Sequence, residues 1–145
     1  MKALLQRVSE ARVTVADEVV GEIGPGLLVL LGLDKGDDLA SAERLLDKVL
    51  AYRVFADDQG RMNRSVSDTG GGVLLVSQFT LSADTARGLR PSFSSAMAPD
   101  DAKALFGQVL TSLKAKHSPV AAGVFGADMQ VSLTNDGPVT FLLES

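Results

Sequence analysis

The stretch GLLVLLG, Gly26 to Gly32, is apolar at every position between its two glycines. A run this short, flanked by turn residues, is too brief for a long helix and lacks the alternation of a half-solvated strand. It reads as a strand buried on both faces, so the fold must supply a covering layer on each side. Gly24-Pro25-Gly26 ahead of it is a turn signal. GVLLVSQFTL, Gly72 to Leu81, returns to the same strand character and turns polar at Ser77.

Around these runs the pattern alternates between strand and helix. ALLQRV, ARVTV and EVVGEIG read as strands in the first third. The period then changes: Leu39, Ala42, Leu45, Leu46, Val49 and Leu50 fall on one helix face, with Asp37 or Asp38 placed to cap its start. A second helix is predicted from Pro99, its apolar stripe made of Ala102, Leu105, Phe106, Val109, Leu110 and Leu113. Asp100 and Asp101 suit its positive end, Lys114 and Lys116 its negative end. ADDQGRMNRSVSDTGGG is a loop with a short extended piece near Met62 to Val66. GVFGADMQVSL and PVTFLLE close the chain as two further strands. The expectation is one mixed α/β domain over residues 1–145, two helices covering its sheet, a size suited to one domain rather than two.

The composition removes several chemistries. There is no cysteine, hence no disulfide, thiol nucleophile or cysteine-ligated zinc. The one histidine, His117, lies beside two lysines and reads as a solvated helix-terminal residue. With it set aside, neither a Ser-His-Asp triad nor a multi-histidine metal site can be built, so hydrolysis would have to proceed without an imidazole base. No metal or cofactor is implied, and Asp57-Asp58 read as loop charge. The net charge of −4 offers no overall footprint for nucleic acid. Arg61, Arg64, Arg87 and Arg90 lie in predicted loops and read as solvated charge. No apolar run is long enough to span a bilayer, and the first residues lack the apolar core of a signal peptide, so a cytoplasmic location is expected.

Three segments are chemically suggestive. In VSQFTLS, Ser77, Gln78 and Thr80 cluster at the end of a buried strand, where polar groups bond to protein or face a ligand. Strand-end bonding is the simpler reading, because Thr80 has no visible base to activate it. In GVFGADMQV, Phe125 and Met129 share a face of a regular strand; such a pair is core or a surface for a flat ring. In NDGPVT, Asn135 and Asp136 favour a turn, and Pro138 has no N–H, so the Gly137-Pro138 unit offers carbonyls without a competing donor from proline. From local chemistry alone, a trans turn is expected there.

Together QRV (Gln6 to Val8), GLLVLLG, GGVLLVSQFTL, ADTARGLRPSF, ADMQVSL and NDGPVT resemble the D-aminoacyl-tRNA deacylase family along the whole chain. The resemblance implies the deacylase fold, a homodimer, and hydrolysis of the ester joining tRNA to a D-amino acid or glycine. It further implies a cis Gly137-Pro138 that reaches the partner subunit's site and excludes L side chains, held in place by Arg7. Ser77, Gln78, Phe79 and Thr80 would line the reaction centre, with the Phe79 N–H as oxyanion donor. Phe125 and Met129 would receive the terminal adenine of the tRNA 3′ end. Water attack assisted by the substrate's 2′-hydroxyl is favoured over an acyl-Thr80 intermediate. If the grip is mainly on the 3′ end, Arg87, Arg90 and lysines near the mouth would suffice for phosphate contacts, an expectation from their charge and not from the resemblance. A non-catalytic dimer binding a small ligand is the alternative from a different class.

Overall fold

The computed structural model describes residues 1–145. A six-stranded mixed sheet is organised around β1 (Lys2–Val15), which pairs antiparallel with β2 (Glu18–Ile23) and β3 (Gly26–Gly32) along one edge. A second long strand, β8 (Gln130–Glu144), runs antiparallel along its other edge. Beyond β3 the sheet becomes parallel, through β6 (Gly72–Ser77) to β7 (Val120–Ala122). Between β3 and β6 come helix α1 (Leu39–Ala51), a small hairpin of β4 (Phe55–Ala56) and β5 (Met62–Arg64), and the one-turn helix α2 (Val66–Thr69). Helix α3 (Pro99–Lys116) connects β6 to β7. Three helices are thus present, the short α2 lying where the sequence predicts only a loop.

Both long helices start where their capping chemistry dictates. Asp38 accepts from the Ser41 amide while Ser41 closes the reciprocal bond, a capping box at the start of α1. Pro99 opens α3, where a missing N–H is harmless. Their predicted apolar stripes are buried, with only Leu39 and Leu110 partly exposed.

The run that demanded two covering layers has them. Leu27, Val29 and Leu31 pack with Leu45, Val49, Val109 and Leu113 in the core between sheet and helices. Leu28, Leu74 and Val76 point the other way, into a second cluster with Val8, Val13 and Ile23. That second core is enclosed because the sheet curls until β2 comes back against β7. Each fully buried Leu or Val here contributes about 1.5–3 kcal/mol relative to exposure.

Two sequence expectations are corrected. ALLQRV and ARVTV form one continuous strand, as do QVSL and PVTFLLE, because each long strand is the other's partner along nearly its whole length. The pairing absorbs irregularities as bulges instead of ending. Gly123 to Met129, predicted as strand, is an irregular turn after β7, with Gly126 in the left-handed region at φ 77°.

Candidate active site

A cleft of about 480 Å³ opens at the carboxyl ends of the parallel strands β3 and β6, the usual ligand position in an α/β sheet. It is lined by Ser77, Gln78 and Phe79 after β6, by Phe125 and Met129 on the turn after β7, and by Met97 and Pro99 at the start of α3. Phe125 is held by Phe106 of α3, with ring centroids 5.9 Å apart. The wall is mostly apolar with a few polar groups at one end, the ordinary composition of a small-molecule site. Asp128 is its one ionisable side chain, and it is exposed.

The polar end is built by a tight turn. After β6 the chain forms a 3-10 turn, Phe79–Ser82, anchored by the Gln78 N–H on the Leu31 carbonyl at 2.8 Å. The first bond within the turn is from Leu81 N–H to the Gln78 carbonyl at 3.2 Å. The amides of Phe79 and Thr80 precede it and therefore have no partner in the turn itself. Behind them Ser82 is buried, its hydroxyl on the Leu33 carbonyl at 3.2 Å and its own carbonyl accepting from the Ser95 hydroxyl at 2.9 Å. Gly32 makes this approach possible: a Cβ there would lie 2.8 Å from the Leu81 Cβ and 3.2 Å from the Gln78 carbonyl oxygen. The Gln78 side-chain amide donates to the Thr80 hydroxyl. Thr80 is exposed beside the cleft but is not part of its wall.

Arg7, Gly137 and Pro138 gather elsewhere, and none of them lines the cleft of the same chain. Gln6 pairs with Thr140 and Val8 with Asn135, so the four residues Asp136 to Val139 bulge opposite Arg7 alone. Arg7 donates through Nε to the Asp136 carbonyl at 2.9 Å and through Nη1 to the Val54 carbonyl at 2.7 Å. Its guanidinium also lies 3.5 Å from the Asp136 carboxylate. The Asn135 amide closes the base of the bulge, donating to the Arg7 and Val139 carbonyls at 2.8 and 2.9 Å and accepting from the Val139 N–H at 3.1 Å. The Gly137–Pro138 bond is cis, and Gly137 sits at φ 152°, in the range that favours glycine. Both residues are exposed at the crest.

The sequence gives Asn135 only a turn preference and points to no role for Gly32 or Ser82. The signal for Asn135 was its place before Asp-Gly-Pro; for the other two, only the fold shows what they touch. His117 is half-buried rather than solvated: its Nε2 lies 2.6 Å from the Gly71 carbonyl and ties the end of α3 to the start of β6, away from the cleft. Behind the turn, burial works against ionisation of Asp34. Hydrogen bonding to the Met1 amino group, together with the charges of that group and Lys2, nevertheless holds its carboxyl below the usual range. No group of three or more metal-ligating side chains is assembled, and no helix is long and apolar enough to cross a membrane.

Comparison with known proteins adds the lineage of this arrangement. The family model for D-Tyr-tRNA(Tyr) deacylase matches residues 4–144. A D-aminoacyl-tRNA deacylase of Stutzerimonas stutzeri is 62% identical over 145 residues, and one of Azotobacter vinelandii 61% identical over 145, each covering 100% of both chains. Among solved structures, one titled c-Myc DNA Unwinding Element Binding Protein superposes with TM-score 0.95 at 42% identity, covering 100% of this chain and 99% of that one. A probable eukaryotic D-amino acid tRNA deacylase shares the fold, with TM-score 0.85 at 16% identity over 98% of this chain and 97% of its own. Matched from end to end in both sequence and fold, the chain belongs to the D-Tyr-tRNA(Tyr) deacylase family.

Proposed function

We propose that this protein hydrolyses the ester between tRNA and a D-amino acid or glycine, releasing the free amino acid and tRNA. The observation that carries this is the Phe79–Ser82 turn, which sets two amide N–H groups without a partner in the turn at the end of an apolar cleft that holds no histidine or lysine. An aminoacyl ester is already activated, so its hydrolysis needs less help than that of a peptide. Water adds to the ester carbonyl, the developing oxyanion is held by the Phe79 amide, and the C–O bond to the ribose breaks as that oxygen takes a proton. One such preorganised donor is worth about 2.7–4 kcal/mol in other enzymes. The vicinal 2′-hydroxyl of the substrate organises the attacking water. Gln78 and Ser77 position the ester, and Phe125 and Met129 take the terminal adenine on their apolar surfaces.

Chiral selection falls to the Gly137–Pro138 crest of a second copy of the chain. β8 is a 15-residue strand whose outer edge has no partner strand, and Phe141 and Leu142 beside the crest are exposed. An open edge with exposed apolar side chains is a surface built to pair. In such a homodimer, the backbone carbonyls of each crest enter the other subunit's cleft and leave room for hydrogen or a D side chain, but not an L one. The cytoplasm, where aminoacyl-tRNA is used, is the compartment of action.

The Thr80 acyl-enzyme route is disfavoured by a specific contact. The Gln78 amide donates to the Thr80 oxygen, which lowers its electron density, and no base is placed to take its proton. Thr80→Ala is expected to retain most single-turnover activity. The deciding assay compares deacylation of D-tyrosyl-tRNA, L-tyrosyl-tRNA and glycyl-tRNA. Rapid D and glycyl hydrolysis with slow L hydrolysis is expected; equal D and L rates would remove the chiral pocket.

A further inference from the structure

The segment between the 3-10 turn and α3 carries side chains that the chemistry above leaves unused. Asp84 and Ser92 close a loop with two backbone hydrogen bonds, of 2.7 and 3.0 Å. The Asp84 carboxylate also accepts from the Ala86 N–H at 2.9 Å, which commits the only acidic side chain of the loop to its own backbone. The tip presents Arg87 and Arg90, both exposed and neither in an ion pair. On a chain of net charge −4, this is a local reversal of sign. Directly after the base of the loop, Phe93 lies against Phe79, with ring centroids 5.1 Å apart and planes inclined at 50°. The two rings nevertheless remain 39% and 63% exposed. Phe79 is also a wall of the cleft, so the open aromatic surface is continuous with the site.

We infer that Phe79 and Phe93, with Arg87 and Arg90, form a subsite for the single-stranded nucleotides that precede the terminal adenosine. This rests on the deacylase activity proposed above. Exposed rings beside unpaired guanidiniums are the pattern that binds single strands: any base can stack on a ring, while the cations follow the phosphates. A duplex would not offer its base faces. A second copy of this chain is the other candidate cover, but a two-fold contact through this loop would gather the arginines of both copies into one interface.

The test compares wild type, Phe93→Ala and the double variant Arg87→Gln/Arg90→Gln on two substrates. One is D-tyrosyl-tRNA; the other is 3′-O-D-tyrosyl-adenosine, which has no upstream nucleotide. Phe93→Ala is expected to lower kcat/KM on the tRNA by about 5- to 150-fold, the loss of one stacked base. The double arginine variant should reduce the slope of log kcat/KM against log salt by about 1.4, corresponding to two single-strand phosphates. Both should leave the adenosine ester unaffected, and Phe93→Tyr, which keeps a ring, should restore the tRNA rate. Equal losses on both esters, no loss on tRNA, or a fall in sedimenting mass would each overturn the inference, the last by assigning the patch to an interface between copies. Titration with the trinucleotide CCA and with AMP needs no turnover. If wild type hydrolyses neither ester, the deacylase activity fails; tighter binding of CCA than AMP, lost in Phe93→Ala, would still sustain the subsite, and equal binding would end it.

Discussion

Replacing Gly32 by Ala tests whether the placement of the 3-10 turn controls turnover. The added Cβ would lie 2.8 Å from the Leu81 Cβ, 3.2 Å from the Gln78 carbonyl oxygen and 3.3 Å from the Ser82 hydroxyl. Ordinary carbon contacts are about 3.5–4.0 Å, so strand and turn must part by roughly 1 Å. The turn cannot yield at its rear, where Ser82 is pinned to Leu33 and Ser95. Overpacking of this kind costs about 1–3 kcal/mol. For a chain of this size that lowers Tm by about 2–12 °C. The kinetic effect should be larger, because displacing a positioned group by 1 Å can cost about 100-fold in rate. Gly107→Ala is the matched control: it sits on the exposed face of α3 with nothing within 4 Å of its would-be Cβ. It should stabilise by about 0.5–1 kcal/mol and leave turnover alone. Single-turnover deacylation of D-tyrosyl-tRNA at 25 °C, with thermal unfolding of the same samples, reads both quantities. A Gly32→Ala protein that loses the expected stability yet turns over within about threefold of wild type, under ~1 kcal/mol of barrier, would show that the amides of the turn are not where the oxyanion is held.

Asn135→Ala removes three hydrogen bonds at the base of the Gly137–Pro138 bulge. At about 0.5–1.5 kcal/mol each, the expected loss is roughly 1.5–4.5 kcal/mol, measured by denaturant unfolding. Below its melting range the variant should hydrolyse L-tyrosyl-tRNA faster while keeping activity on the D ester; an unchanged D-to-L ratio would free the bulge from any role in selection. Acid should weaken the start of α1, because the Ser41 amide, and then its hydroxyl, hold the Asp38 carboxyl below its usual range. A depressed folded-state pKa stabilises the protein above the unfolded value of about 3.9 and loses that contribution as pH falls through the folded value. Asp38→Asn keeps a capping side chain but should flatten this part of the acid limb in Tm measured from neutral pH downward. An identical acid limb in the two proteins would rule the cap out as its source.

The helices were legible because their determinants are local. Asp38 and Pro99 mark starts, and the stripes of α1 and α3 recur at the helical period whatever surrounds them. The strand from Gly26 was legible for the same reason, since seven consecutive residues declare burial on both faces. Phe125 and Met129 both line the cleft, but not through the strand parity expected of them: side chains on an irregular turn meet through tertiary packing, not through a period of two. The merging of four predicted strands into β1 and β8 was equally hidden, because a bulge is tolerated only where the partner strand continues past it.

What the sequence by itself determined is the chemistry at hand: no thiol, one histidine, a polar end to a buried strand, and a Gly-Pro unit placed where an apolar run resumes. Those follow from residue identity and near-neighbour spacing. What only the tertiary structure decided is which of these groups face one another. Gly32 lets β3 approach the turn after β6, Arg7 spans from Val54 to Asp136, and His117 is drawn onto Gly71 instead of into solvent. Each of these contacts joins residues more than 40 positions apart, and such contacts form only when burying both sheet faces fixes where the chain must return.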